Sequence, residues 1–158
     1  MKPLEVRDAV EADAQQACEV MQRSIRELCV ADHGERPDVL ARWLANKRPE
    51  IFMSWIAQPG NSLMVAIDDT KVLAVGAVTD SGEITLNYVS PDARFRGVSR
   101  ALLGALEKRA LERGNGQCRL TSTATARRFY LANGYVESGP PRHNFGTTSG
   151  FPMQKVLK

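Results

Sequence analysis

The sequence predicts a mixed α/β fold, with helices first, then strands, then a strand–helix–strand unit. Three observations predict it. Apolar residues recur every three or four positions between Glu11 and Leu28. Two β-prone runs flank a short polar turn at Asp68–Lys71. A helical stretch, Gly97–Arg113, lies between the β-prone segments Glu83–Val89 and Gln117–Thr121. A helix crossing over between neighbouring strands implies a parallel pair and a right-handed connection.

The elements follow in order. Leu4–Arg7 is a short first strand. In the helix Glu11–Leu28, Ala14, Ala17, Cys18, Met21, Ile25 and Leu28 form one stripe, and Gln15, Gln16, Glu19, Gln22 and Arg23 face water. Asp32–Pro37 is a turn. Val39–Asn46 is a short helix with Leu40, Trp43 and Leu44 inward, and Pro49 opens another that turns Ile51, Phe52, Trp55 and Ile56 to the core. Pro59-Gly60-Asn61 ends the helical region. Leu63–Ile67 and Val72–Thr79 form a hairpin, and Glu83–Val89 is the third strand of that run. The helix Gly97–Arg113 buries Val98, Ala101, Leu102, Ala105 and Leu106 and stops at Gly114 and Gly116. Gln117–Thr121 is a strand, Ala124–Asn133 a helix, Tyr135–Ser138 a strand, and Phe151–Leu157 the last strand, after the Gly/Pro-rich loop Ser138–Gly150.

The chain has 158 residues, which predicts one domain, 1–158, large enough for a single core. Apolar residues at 43% and charged residues at 25% exclude disordered and collagen-like chains. No apolar run approaches the ~18 residues of a membrane span, and the N-terminus has no signal-peptide pattern. Cys18, Cys29 and Cys118 are too few and too scattered for a disulfide framework or a zinc site. The expectation is a soluble, cytoplasmic protein without metal. Net charge +3 hides a split. Met1–Thr79 carries nine basic and twelve acidic residues, and Asp80–Lys158 carries twelve and six. The basic half is suited to meet an anion.

The segment Arg94-Phe95-Arg96-Gly97-Val98-Ser99-Arg100 lies between a strand and a helix N-terminus. The first N–H groups of a helix lack intrahelical partners, and the dipole adds partial positive charge there. Gly97 allows close backbone approach, and Arg94, Arg96 and Arg100 add full charges. A solvated basic turn accounts for the same residues equally well on position alone.

Two motifs decide between these readings. Arg94-x-x-Gly97-x-Ser99 resembles the (Gln/Arg)-x-x-Gly-x-(Gly/Ala) signature of the GNAT superfamily of N-acetyltransferases. Glu83–Pro91 and Arg100–Leu106 are similar to the strand and helix around that signature. Ala126-x-x-Phe129-Tyr130-x-x-x-Gly134-Tyr135 resembles the family's second motif, which flanks the coenzyme thiol, and Met153–Leu157 is similar to its last strand. The match runs from about Ser62 to the end. Ser99 and Thr123 depart from the usual Gly/Ala and Asn. The resemblance implies a GNAT-like α/β (α+β) fold: a mixed, mostly antiparallel central sheet flanked by helices, with a central parallel strand pair joined by a helix crossover.

It also implies direct transfer of an acetyl group from acetyl-coenzyme A, as co-substrate, to an amine. Tyr88, Val89, Arg94, Arg96, Gly97, Val98, Ser99, Arg100, Thr123 and Ala126 are then the cofactor-binding positions. The backbone N–H of Val89, with Asn87 and Tyr88 beside it, is the donor to the thioester oxygen. Tyr130 corresponds to the general acid for the leaving thiolate. Glu83, eleven positions before Arg94, is the candidate base, with ordered water as the alternative. Strand alternation is expected to put Glu83, Thr85, Asn87 and Val89 on one face. The first helices, with Ser24, Arg26, Asp32, His33 and Trp43, are the candidates for the acceptor side, and a cationic amine fits the sign of the acidic half. The implied partners are a small-molecule or peptide amine and a homodimer mate, with no nucleic acid and no membrane. The competing readings are an acetyl-CoA-binding sensor and a serine hydrolase using Ser99 with His143. The second is weakened by the seven residues Pro91–Gly97 between strand and helix, where a hydrolase elbow has a sharp turn.

Overall fold

The computed structural model describes residues 4–93, 96–143 and 149–158. Strand β1 (Leu4–Asp8) is followed by a 3₁₀ turn, Glu11–Asp13, helix α1 (Ala14–Arg23) and a π-helical turn, Ser24–Leu28. The apolar stripe thus belongs to one helical run whose last turn is widened. Helices α2 (Val30–His33), α3 (Pro37–Leu44) and α4 (Pro49–Ala57) complete the helical third. Pro37 and Pro49 both sit in the first turn, where a missing N–H costs nothing. The predicted turn Asp32–Pro37 begins inside α2.

Strands β2 (Asn61–Asp68), β3 (Lys71–Thr79) and β4 (Ile84–Val89) form an antiparallel sheet in the order β1-β2-β3-β4. Helix α5 (Val98–Glu112) then leads to β5 (Gln117–Ser122), and α6 (Arg127–Ala132) to β6 (Val136–Glu137). Strand β8 (Ser149–Val156) pairs antiparallel with β5, with β6 and, at its start, with β7 (Arg142–His143), a short strand inside the predicted loop.

The central strands are apolar without interruption because helices cover both faces. On β2, Met64 and Ala66 join the core under α5, and Leu63, Val65 and Ile67 join the core under α1 and α4. Val98, Leu102, Leu103, Leu106 and Ala110 are the buried side of α5, with the expected Ala105 half-buried against the same core and Ala101 outside it. Gly76 lets α5 press onto β3, since a Cβ there would lie 2.8 Å from Leu106 Cδ1. Among the described residues, no helix is long and apolar enough to cross a membrane.

The expected parallel pair, β4 and β5, touches at one end only. Arg119 N donates to Gly82 O at 3.0 Å, and Glu83 and Arg119 form an isolated parallel bridge. Beyond it the two sheets part, and the parting positions the site.

Candidate active site between two splayed strands

A cavity of about 640 Å³ occupies this parting. Its walls are β4, the start of α5, the end of β5, the turn Thr123–Ala126 with α6, and the π turn.

The register of β4 aims its backbone. Ser90 N donates to Leu73 O at 2.7 Å, in the same register that pairs Val89 with Ala74 and Asn87 with Gly76. Antiparallel pairs alternate between hydrogen-bonded and non-hydrogen-bonded. The amides of Asn87 and Val89 therefore turn away from β3, toward the gap. Side chains alternate too: Leu86 and Tyr88 pack toward the α1 core, and Val89 packs toward the α5 core.

Helix α5 presents the opposite wall. Gly97 precedes it at φ +77°, a left-handed conformation open to glycine, and a Cβ there would meet nothing within 4 Å. No side chain caps this terminus, so the first-turn amides stay available. Val98, Ser99 and Arg100 follow on the cavity wall.

Tyr130 closes the gap from α6. Its hydroxyl accepts a 2.9 Å hydrogen bond from Asn87 Nδ2, across the space between the sheets. Rings of Phe129 and Tyr135 lie edge-on at 5.4 and 5.5 Å and hold it in place. Burial pushes the Tyr130 hydroxyl up to about 12, against a small opposing effect of the Asn87 bond. Cys29, on the π-turn side of the cavity, is likewise pushed up to about 12 by burial, with the Asp32 charge adding to it.

Nine of the twelve expected site residues line the cavity: Tyr88, Val89, Gly97, Val98, Ser99, Arg100, Thr123, Ala126 and Tyr130. Thr123 Oγ1 accepts from Ala126 N at 3.1 Å and so stabilises its own turn. Arg94 lies outside the described residues. Arg96 stands off the cavity, paired with Asp68 at 3.2 Å. Glu83 is exposed and away from the lining, about 13 Å along the strand from Asn87 at about 3.3 Å per residue. The expected shared face fails at this residue. The β3–β4 register slips at Thr85, an extra residue, so Ile84 takes the face of Asn87 and Val89 and Glu83 takes the other.

The helical side also differs from expectation. Of its five candidates only Ser24 lines the cavity, joined by Leu28 and Cys29. Trp43 Nε1 donates to Tyr88 Oη at 3.0 Å, and burial raises the Tyr88 hydroxyl above the tyrosine range. Arg26 and His33 border a second hollow of about 490 Å³ behind the π turn. Asp32 is buried and accepts from Ala124 N, Thr125 N and Thr125 Oγ1. No carboxylate lines the main cavity among the described residues, so the acidic excess of the first half is not an attraction built into its walls. Residues 90–97, with a 3₁₀ turn at Pro91–Ala93, separate β4 from α5, so Ser99 sits on no nucleophile elbow. The His143 side chain lies outside the described part. The lining residues not singled out for the site include Leu28, Cys29, Ala93, Leu120 and Thr125. The four-residue step from Ser24 to Leu28 was the available signal for the first.

A family model described as an acetyltransferase (GNAT) domain matches residues 13–157. A GCN5-related N-acetyltransferase from Rhodopseudomonas palustris superposes with a TM-score of 0.86 at 24% identity, covering 99% of this chain and 98% of that one. The PaiA N-acetyltransferase of Thermoplasma acidophilum, solved with coenzyme A, superposes at 0.83 with 19% identity, covering 98% and 99%. A ribosomal-protein-alanine N-acetyltransferase from Brucella melitensis superposes at 0.72 with 21% identity, covering 97% and 99%. No curated protein sequence matches the chain.

Proposed function

This chain belongs to the GNAT acetyltransferase family, and on that premise we propose that it moves an acetyl group from acetyl-coenzyme A directly to an amine. The observation that carries the reading is the Asn87–Tyr130 hydrogen bond spanning a cavity into which the Val89 amide turns.

The residues present suit the coenzyme. The uncapped first turn of α5 behind Gly97 offers backbone donors to the pyrophosphate, with Arg100 beside them; Arg96 would join them only by leaving Asp68. Tyr88, Thr123 and Ala126 wall the thiol end. The bound coenzyme supplies an activated acyl group and a thiolate as leaving group. The Val89 N–H then donates to the thioester oxygen as negative charge grows there. Asn87 gives its hydrogen to the Tyr130 oxygen, which leaves the phenol proton free for the departing sulfur. Burial pushes the Tyr130 hydroxyl up to about 12, so it is protonated at neutral pH and able to donate. The amine proton leaves through water, with Glu83 as the terminal acceptor at the far end of β4. Ser24, Leu28 and Cys29 form the acceptor's wall.

The test is release of coenzyme A thiol from acetyl-CoA with a panel of amines: polyamines, amino acids, aminoglycosides and peptides with free N-termini or lysines. Turnover with at least one amine and thermal stabilisation by acetyl-CoA are expected. Stabilisation without turnover on any amine leaves a binding module, and no stabilisation at all overturns the reading.

A further inference from the structure

The helical wall and the thiol-side turn belong to different thirds of the chain, yet one short element ties them. Asp32 and His33 are neighbours on α2, and both are buried. Asp32 Oδ1 accepts from Ala124 N at 2.7 Å, and its Oδ2 accepts from Thr125 N at 3.1 Å and Thr125 Oγ1 at 2.6 Å. His33 works in the other direction. Its Nδ1 accepts from Glu35 N at 2.9 Å, so Nε2 carries the proton and donates to Ile25 O at 2.9 Å and Arg26 O at 3.2 Å. Those carbonyls belong to the π turn, where an extra residue leaves the usual helical bonding out of step. On one side of α2 stands the turn bearing Thr123 and Ala126 and leading to Tyr130. On the other stands the π turn bearing Ser24 and Leu28.

Resting on the acetyl-transfer reading above, we propose that Asp32 is a positioning residue for the reaction: through its hold on Ala124 and Thr125 it sets the separation between the acceptor wall and the thiol side of the cavity. Its carboxylate is buried and off the cavity lining. It acts because transfer needs the two reactants held in near-attack geometry, where a displacement of about 1 Å costs about 100-fold. A carboxylate accepting three short bonds is a stiff connector, and its loss frees two walls that share no strand.

The test compares Asp32→Asn, Thr125→Val and Thr125→Ser with wild type. Measured are thiol release with the best amine of the panel, KM for acetyl-CoA and for that amine, and binding of coenzyme A. Asp32→Asn is expected to lose about 10–100-fold in kcat, with KM for acetyl-CoA moving less than about threefold. Thr125→Val keeps the fold if Asp32→Asn does not, and is expected to lose about 3–10-fold, which Thr125→Ser recovers by keeping the hydroxyl. A kcat within threefold of wild type in both Asp32→Asn and Thr125→Val, or a loss that follows coenzyme affinity, overturns the proposal. If wild type turns over no amine, the functional reading fails separately. Amide exchange in the coenzyme A complex then decides: faster exchange at both 22–28 and 123–130 in the variants supports the connector, and loosening of one segment alone overturns it.

Discussion

The two ends of β4 are built for different duties. At its start the strand is closed against β5: Arg119 N reaches Gly82 O, and the Arg119 guanidinium reaches Ser81 O at 3.0 Å. At its end the same edge faces open space, with Asn87 and Val89 turned into the cavity and α6 on the far side. The slip at Thr85 separates the two regimes. A parallel pair that continued would have consumed the amides that an acyl-transfer site needs. The lesson is that the crossover helix supplies a junction, and the function lies in the failure of the junction to propagate. Substitutions at the open end should therefore change rate, and those at the closed end stability.

The sharpest break is expected at Tyr130. Tyr130→Phe removes the proposed proton donor and keeps the ring packing against Phe129 and Tyr135. Turnover should fall by about 100-fold or more, with coenzyme A binding kept. Thermal unfolding should shift by no more than about 4 °C, since one half-buried hydrogen bond contributes about 1 kcal/mol. In wild type the hydroxyl stays protonated up to about pH 12, so no rate is lost to its ionisation near pH 9 or 10. Turnover of Tyr130→Phe within about threefold of wild type would refute the assignment.

Asn87→Asp comes next. The amide donates to the phenol oxygen, whereas a carboxylate accepts from it and draws the proton away from the sulfur. The change is nearly isosteric, so about 10–50-fold lower kcat with unchanged fold is expected from steady-state rates and circular dichroism. A variant as active as wild type would show that the direction of this bond is irrelevant.

How much of this was legible in the sequence depends on the range of the interactions. The α1 stripe, the β2–β3 hairpin and the start of α5 behind Gly97 are local patterns, and all formed where expected. The Thr85 slip was not legible, because Ile84–Val89 reads as an unbroken strand and the irregularity exists only relative to β3. Asp32 reads as a turn residue, while its partner Ala124 lies 92 positions away. The acidic half misled for the same reason. Its acids are engaged with arginines, as in Asp13 with Arg7, Asp68 with Arg96 and Asp8 with Arg109, and a charge count contains no pairing.

The open end also carries a cost in stability that can be removed. Lys47 is buried, with Nζ donating to Asn46 Oδ1 at 2.6 Å and lying 5.8 Å from the Tyr88 ring centroid. Desolvation lowers it from 10.5 to about 8. Between those values the unfolded chain binds the extra proton, so stability rises with pH from about 8 to about 10.5. The full shift sets a ceiling of about 3 kcal/mol, reduced by the contacts Lys47 makes. Lys47→Met should gain about 1–2 kcal/mol at pH 7, an advantage that shrinks through that interval and closes only above about pH 10.5. Denaturation at both pH values measures it, and equal stability at pH 7 refutes it. At the closed end, Arg119→Ala should lose at most about 1 kcal/mol and leave kcat within twofold. A larger effect on rate than on stability would erase the contrast between the two ends.

The smallest effect belongs to Glu83, which tests whether the two ends communicate at all. It stands at the closed end, on the opposite face from Asn87, about 13 Å from it along the strand. No direct proton transfer spans that distance, so any role runs through water. Removing the carboxylate then changes where the proton ends rather than how the bond breaks. Glu83→Gln should lower the plateau of kcat by less than about threefold, because solvent replaces the acceptor. Whatever part of the acid-side fall in kcat disappears in the variant should be no larger than that threefold. A profile superimposable on wild type removes Glu83 from the mechanism and leaves the closed end purely structural.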